Sequence, residues 1–435
     1  MGLVQLIAAK KFSAVIKLPR NSPARHYLLS LLKILFAPSL RIKIKLVCRG
    51  VDALTLDFDF SGEQELFRRT VREFAKKEIA PKIREYERKC QFPWELYKRM
   101  GSAGLLGLRL PREFGGQEAD AVTMGVLVEE TARAGWQIPL SDIMGEILAL
   151  YGPARLKNEW LPAMVKGERM LGVANTEPST GSDAASIKTQ ATRKGDSYIL
   201  NGEKQCITGI NECGAYCLLA KTDADKGSRG ISMFFVEMDR PGIEKYQFDA
   251  LGWKLFSFGG IVLKDVTIPS SNLIGEENKG FTYVMETFDL MRALIAVWCV
   301  GLAEASLEEN IDFTKERTAF GRPIAKFESV QSRIVEGYTQ LEAARLLCYR
   351  TLWLKDKGQR ITKESAMIKW YVPQLCFGIV NNCLQNRGAV GFTTLCMDEY
   401  RLREIRGAMI GDGTTDINKI VVARELIGRE FLPYR

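Results

Sequence analysis

Residues 287–316 read TFDLMRALIAVWCVGLAEASLEENIDFTKE. This pattern predicts a single helix of nearly thirty residues, a length that belongs in a bundle rather than in a compact globule. Upstream of it the texture changes. YCLLAK (216–221), ISMFFVE (231–237) and IVLKDVTI (261–268) are short apolar runs bounded by turn residues. SYILNGEKQCITG (197–209) reads as a hairpin turning at Asn201-Gly202. Several short strands within about 100 residues predict a small barrel or sandwich. Further upstream the chain is helical again. FSGEQELFRRTVREFAKKEIAPKIREYERK (60–89) places Leu66, Val71, Phe74 and Ile79 at helical spacing, with alternating charges on the other face. FPWELYKRMGSAGLL (92–106) and AVTMGVLVEETARAG (121–135) continue the helical texture, separated by the loop PREFGGQ (111–117). The order is α, then β, then α.

The charge distribution separates the first residues from the rest. The 435 residues hold 61 Lys plus Arg and 52 Asp plus Glu. Residues 1–50 contain ten of the basic side chains and no acidic one, so residues 51–435 are left with 51 basic and 52 acidic groups. The main body is therefore near neutral, and a nucleic-acid groove is not supported. The leader can be read as a targeting peptide, as translation from an upstream start codon, or as a membrane-surface segment. Its Pro19, Pro23 and Pro38 and the lack of an amphipathic period favour the second reading. Lys33 interrupts its most apolar stretch, so no transmembrane segment is expected there.

His26 is the only histidine, and it lies in that leader. Ser-His-Asp and Cys-His catalysis and HExxH zinc chemistry are thus excluded for the body. A general base must be a carboxylate, lysine, tyrosine or thiolate. The ten cysteines form no CxxC pair and no zinc-like spacing. They read as reduced, largely buried thiols of a cytosolic-type compartment, with no metal site.

Four stretches go further. They are ANTEPSTGSD (174–183), LNGEKQCITG (200–209), ERTAFGRPI (316–324) and the run from Gln385 through GDGTTDINKIVVARE (411–425). Together, in this order, they resemble the acyl-CoA dehydrogenase family over residues 57–435. The 27 residues from Gln385 to Asp412 match the family's separation between a flavin-contacting glutamine and its catalytic carboxylate. The resemblance implies an α+β fold with an N-terminal helical domain (56–170), a middle β-barrel (171–283) and a C-terminal four-helix bundle (284–435), after a basic leader (1–55). It implies FAD as cofactor and conversion of an acyl-CoA thioester to the 2-enoyl-CoA.

That chemistry requires a base against a weakly acidic α-proton and donors at the thioester carbonyl. By resemblance the base is Asp412, and the donors are its backbone N–H and a ribityl hydroxyl of FAD. The family's usual Tyr-Glu-Gly-Thr reads Gly411-Asp412-Gly413-Thr414 here. The family's other base position, in an Asp-Leu-Glu-Arg motif, holds Met291 within Asp289-Leu290-Met291-Arg292. Asp is one methylene shorter than Glu, about 1.5 Å of reach, and Gly411 vacates the tyrosine's volume. Both features suit a bulky or cyclic acyl group, and an aspartate here resembles the cyclohexane-carboxyl-CoA and cyclohexene-carboxyl-CoA dehydrogenases. The alternative reading of Asp412 is an N-cap for the following helix.

The resemblance further assigns Asn175, Thr176, Ser182, Thr208, Gln385, Gly388 and Thr414 to FAD, the glycine admitting close approach. It assigns Arg317 and Phe320 to the FAD of a neighbouring subunit, Arg317 on phosphate. Ser182, Asp289, Arg292 and Gly413 fall on the substrate side. Departures stand at Val173, Cys206, Ala319, Glu328 and Ala389. A negative Glu328 near a pyrophosphate is unfavourable unless it turns away or meets Arg333. The implied partners are an acyl-CoA, an electron-transferring flavoprotein and three further copies in a dimer of dimers. Rival readings are an acyl-CoA oxidase, an enoyl-CoA-type reductase, or a non-catalytic binding or assembly protein of the same fold. The expected location is the cytoplasm, or the mitochondrial matrix if the leader is a presequence.

Overall fold

Ser61 opens the first helix, its Oγ accepting from the Gln64 N–H while Gln64 Oε1 accepts from the Ser61 N–H. This reciprocal box satisfies two helix-end donors that would otherwise lack partners. The computed structural model describes residues 59–137 and 140–432. From Phe60 onward they belong to one unit, Phe60–Arg435. The leader, with its reading as a presequence, lies outside the described residues.

Helices α1 (Gly62–Phe74) and α2 (Ala80–Lys89) run on through a π-turn at Ala75–Ile79. Val71 and Ile79 are buried as their spacing predicts, whereas Leu66 is 68% exposed. Then come α3 (Trp94–Ser102), α4 (Ala121–Arg133), α5 (Leu140–Tyr151) and α6 (Ala154–Val165).

The middle region is one eight-stranded sheet. Its strands are β1 (Leu171–Ala174), β2 (Gln190–Lys194), β3 (Ser197–Thr208), β4 (Ala215–Lys221), β5 (Ile231–Glu237), β6 (Ile243–Phe248), β7 (Phe258–Pro269) and β8 (Leu273–Ile274). The order is β6-β7-β3-β2-β4-β5-β8, with β1 pairing parallel to β4. The hairpin expected at Asn201-Gly202 is not there. β3 runs unbroken past both residues, and the reversal sits between Lys194 and Ser197. Asn201-Gly202 instead marks a register shift against β7, a β-bulge. A Cβ on Gly202 would stand 2.5 Å from Thr189 Oγ1, so the backbone packs too closely there for any other residue.

The long apolar run at 287–316 lies in α7 (Gly280–Glu316), 37 residues long. Residues 290–303 are all buried, because neighbouring helices cover α7 on every side. By length and composition α7 passes for a membrane span, yet 94% of its most apolar window is buried within the fold. A small hairpin of β9 (Thr318–Ala319) and β10 (Arg322–Pro323) leads to α8 (Glu328–Asp356) and α9 (Thr362–Arg387). Then α10 (Asp398–Ala408) and α11 (Thr415–Ile427) complete the bundle.

Two devices seat the N-terminal helices on the bundle. Gly301 of α7 lies so close to α4 that a Cβ would stand 2.4 Å from the Glu129 carbonyl oxygen. Beside it, Arg345 bridges Glu129 and Glu304 at 2.8 Å each, and Arg133 reaches Glu304 at 2.5 Å. Tyr349 donates to Glu129 at 2.6 Å. Charges this poorly solvated persist only when each has its partner.

Candidate active site

The segment 174–189 owes its shape to a buried ion pair. Lys204 Nζ of β3 lies 2.8 Å from Glu177 Oε1 and 3.1 Å from the Asn175 carbonyl oxygen. Glu177 also accepts the N–H groups of Lys188 and Thr189. Burial pushes the Lys204 amine down to about 8 and opposes ionisation of Glu177. The pair outweighs that for Glu177, whose pKa ends below its ordinary value. The glutamate of ANTEPSTGSD and the lysine of LNGEKQCITG thus act on one another, holding Asn175, Thr176 and Ser182 in one loop. Ser182 is exposed there and Thr176 half-buried.

Thr208 ends β3, paired with Phe258 of β7, and the Gly209 N–H donates to the Ser257 carbonyl at 2.6 Å. A small apolar cavity, with room for little more than a water molecule, opens beside Thr208. Its walls include Tyr97, Met100, Trp136, Met170 and Phe256.

Four residues before Ser257, the same loop touches the C-terminal bundle. The Trp253 N–H donates to Glu404 Oε1 at 2.5 Å, and its indole N–H to the Glu404 carbonyl at 3.0 Å. The indole lies along the helix face of Gly407 and Gly411, where a Cβ would stand 2.8 Å from Nε1 and 3.2 Å from Cη2 respectively. Loop 253–257 therefore carries the chain from the neighbour of Asp412 to the neighbour of Thr208. The volume expected to be vacant at Gly411 is filled by this tryptophan, which removes the room argument for a cyclic acyl group.

Asp412 sits between α10 and α11 with φ +53°, a conformation that L-residues seldom adopt. It does not cap α11. Thr414 is the N-cap, its Oγ accepting from the Ile417 N–H, so the capping alternative for Asp412 is excluded. Thr414, expected at FAD, has its hydroxyl engaged in that cap. Three groups fix the turn that carries Asp412. Arg292 Nε donates to the Asp412 carbonyl at 3.2 Å. Asn418 Nδ2 donates to the carbonyls of Gly413 (2.8 Å) and Thr414 (3.1 Å). Lys369 Nζ, fully buried in α9, donates to those of Ala408 (2.6 Å) and Gly413 (3.3 Å).

Burial pushes the Asp412 carboxyl above its ordinary value, and the Lys369 and Arg292 cations hold it back. Burial also pushes Lys369 down to about 8, against the pull of Asp412. Asp289 is not aimed outward: its carboxylate accepts from Thr362 Oγ1 at 2.5 Å and from Arg292 at 3.1 Å. Asp289 and Arg292 therefore brace the turn that carries Asp412, and Gly413 serves it through its carbonyl. Met291 is buried and offers no second base.

The remaining predicted positions spread along the bundle's other end. Arg317 closes α7 and is exposed; Phe320, at φ +51°, is 95% exposed at the tip of the β9–β10 hairpin. Gln385 lies in the last turn of α9, exposed. Gly388 ends that helix at φ +62°, ψ −137°, which explains the glycine by backbone geometry. Arg333 donates to Asn386 rather than pairing with Glu328, which sits exposed at the N-terminal turn of α8, where the helix dipole favours an acid. Cys206 occupies an exposed position in a bulge of β3 at φ +59°.

A flavin dinucleotide fits these residues. The buried Asn175 Oδ1 and Thr180 Oγ1 have no hydrogen-bond partner among the described residues. Such orphaned atoms, in the loop beside the half-buried Thr176 and Thr208, call for a polar ligand. Residues 369 and 253 carry no weight in a motif reading. Lys369 was detectable as the one cation on the buried stripe of Ser365, Ala366, Val372 and Cys376. Trp253 had no sequence signal.

Comparison with known proteins gives the same organisation. The family descriptions "Acyl-CoA dehydrogenase, N-terminal domain", "middle domain" and "C-terminal domain" match residues 61–168, 172–266 and 278–427. The chain is 35% identical over 370 residues to the mitochondrial short-chain specific acyl-CoA dehydrogenase of Mus musculus, covering 83% of this chain and 90% of that one. It is 33% identical over 375 residues to the caffeyl-CoA reductase-Etf complex subunit CarC of Acetobacterium woodii, covering 85% and 99%. The solved butyryl-CoA dehydrogenase of Megasphaera elsdenii superposes with a TM-score of 0.82 at 28% identity, covering 85% and 100%.

Proposed function

This chain belongs to the acyl-CoA dehydrogenase family of FAD-binding oxidoreductases, and from that membership we propose that it dehydrogenates an acyl-CoA thioester with Asp412 as the α-proton base. The observation that carries the proposal is the setting of Asp412. A half-buried carboxylate lies within the electrostatic influence of two buried cations, Lys369 and Arg292, which hold the backbone of its own turn, and the Trp253 loop that packs beside that turn also reaches Thr208. Burial makes the carboxylate a stronger proton acceptor than an exposed aspartate, while the Lys369 and Arg292 cations oppose that rise. The Asp412 N–H is the donor for the developing enolate oxygen. The chemistry that FAD supplies when bound is acceptance of the β-hydrogen with its electron pair.

Asn175, Thr176, Ser182 and Thr208 would hold FAD on the sheet side, with Gln385, Gly388 and the backbone at Thr414 contacting it from the bundle. Arg317 and the solvent-facing Phe320 would reach the FAD of a neighbouring subunit, which makes a homotetramer part of the reading. Ser182 lies on the CoA side. An electron-transferring flavoprotein is the proposed electron acceptor, in keeping with the relative that belongs to an Etf complex. Run in reverse, the same groups reduce an enoyl-CoA, a protonated Asp412 then supplying the α-proton. The nine cysteines among the described residues are all free thiols, in keeping with a reducing compartment such as the cytoplasm.

The test is Asp412→Asn. The variant is expected to keep its ~450 nm flavin absorption and its affinity for acyl-CoA while losing turnover. Unchanged turnover would remove Asp412 from the mechanism.

A further inference from the structure

We infer that Trp253 is the specificity-determining wall of the acyl site, taking the space that a glycine before the base would otherwise leave, and so restricting the site to acyl groups unbranched at the α-carbon. The inference rests on Asp412 as the base. A base must come within hydrogen-bond reach of the α-proton, so whatever adjoins Asp412 also adjoins the α- and β-carbons of the substrate. The backbone neighbour, Gly411, offers no side chain. What stands there is the indole of Trp253, brought in from the loop between β6 and β7 rather than from the bundle.

The indole is held on three sides. Gly407 and Gly411 lie one turn apart on the helical face that ends in the base-bearing turn, with the Gly411 N–H bonded to the Gly407 carbonyl at 3.0 Å. Neither position tolerates a Cβ without displacing the ring, since contacts of 2.8 and 3.2 Å would result. The indole N–H is fixed on the Glu404 carbonyl, and Trp298 of α7 meets the ring edge-on at a centroid separation of 6.1 Å. Trp298 in turn donates to the Trp136 carbonyl at 2.7 Å, and Trp136 lines the cavity beside Thr208. A ring anchored at this many points does not swing aside cheaply. Trp253 nevertheless keeps part of its surface exposed, as a residue facing a substrate cleft must.

A rigid wall discriminates by shape. A straight acyl chain passes it, whereas a ring or a second substituent at the α-carbon meets the indole. Pockets of this kind separate substrates by roughly tenfold or more per added or missing methylene.

The experiment uses the FAD-loaded enzyme and three substrates: butyryl-CoA, isobutyryl-CoA and cyclohexane-carboxyl-CoA. The wild type is expected to favour butyryl-CoA in kcat/KM over both others. Trp253→Phe keeps a ring in the glycine notch but shortens it, and Trp253→Ala removes it. Each is expected to lower the preference for butyryl-CoA by about tenfold or more. Should Trp253→Ala fail to fold, Trp253→Phe decides. A preference ratio unchanged in Trp253→Phe, a proportionate loss on all three substrates, or a wild type that prefers the cyclic substrate overturns the inference. Asp412→Asn, run alongside, keeps the two readings apart. Turnover surviving in that variant defeats the base assignment, whereas an inactive Asp412→Asn with an unchanged ratio in Trp253→Phe defeats only the role of Trp253.

Discussion

The Lys369 ammonium lies 2.6 Å from the Ala408 carbonyl oxygen and 3.3 Å from that of Gly413, so one buried cation ties together both ends of the segment that carries Asp412. It is also the strongest influence opposing the effect of burial on that carboxyl. The other charged group facing the pair is Arg292 of α7, itself paired with Asp289, and the nearby Cys299 thiol is pushed up by burial.

Replacing Lys369 by methionine removes a cation that lowers the Asp412 pKa, so that pKa must rise. On the proposal that Asp412 is the base, which then works only when ionised, the acid limb of kcat/KM against pH is expected to move upward. Activity at pH 6 then falls more than activity at pH 8. Lys369→Arg keeps the charge and is expected to move the limb less. An acid limb that stays in place in Lys369→Met would deny the lysine any electrostatic role.

The Lys204–Glu177 pair makes a different demand. Both side chains are almost fully buried, and each leaves an uncompensated charge if the other is removed. Lys204→Met is expected to cost about 3–5 kcal/mol of unfolding free energy and to weaken FAD retention, because segment 174–189 loses its anchor. Glu177→Gln keeps a single acceptor oxygen, enough for one of the Lys188 and Thr189 N–H groups, and leaves Lys204 without its counter-charge, so it is expected to be destabilised as well. Urea unfolding with flavin release as a second signal measures both, and a wild-type midpoint in Lys204→Met would count against the pair.

Asp142 and Glu404 give the fold a pH dependence of its own. Burial pushes each carboxyl up to about 7, with the Gly107 backbone partly offsetting this for Asp142 and the Trp253 N–H for Glu404. Their ordinary values are 3.8 and 4.5, so between about pH 4 and pH 7 the folded chain binds protons that the unfolded chain has released. Stability contributed by these groups is therefore greatest in acid and falls as pH rises through that window. Asp142→Asn removes one of the two slopes and is expected to be more stable than wild type at pH 8, by on the order of 1–3 kcal/mol. Unfolding midpoints at pH 5 and pH 8 test this; an equal pH slope in variant and wild type would show that Asp142 does not titrate as its burial implies.

Much of the architecture was legible in the sequence, for reasons that differ by element. Helix α7 announces itself through an unbroken apolar run, and the short strands through turn residues at their ends, because these signals are local. Asn201-Gly202 misled for the same reason. Asn-Gly is a turn signal in isolation, but β7 and Thr189 pack against β3 and convert it to a bulge. Leu66 fits a helical stripe and is nevertheless exposed, because spacing identifies a face without saying whether anything covers it.

Residue identity and spacing along one chain suffice for the α-β-α order and for the absence of histidine from residues 51–435, and they put an acid, Asp412, where the family resemblance expects the base. They do not reach the roles that arise where distant segments meet. Folding in three dimensions makes Thr414 rather than Asp412 the cap of α11, sets Asp289 and Arg292 to brace the turn carrying the base, and lays Lys369 beneath it. It also brings Trp253 into the space which Gly411 leaves open. A missing side chain in one stretch of sequence says nothing about the ring that another supplies. Packing at near-crystalline density settles such questions in space, where sequence neighbours have no privilege.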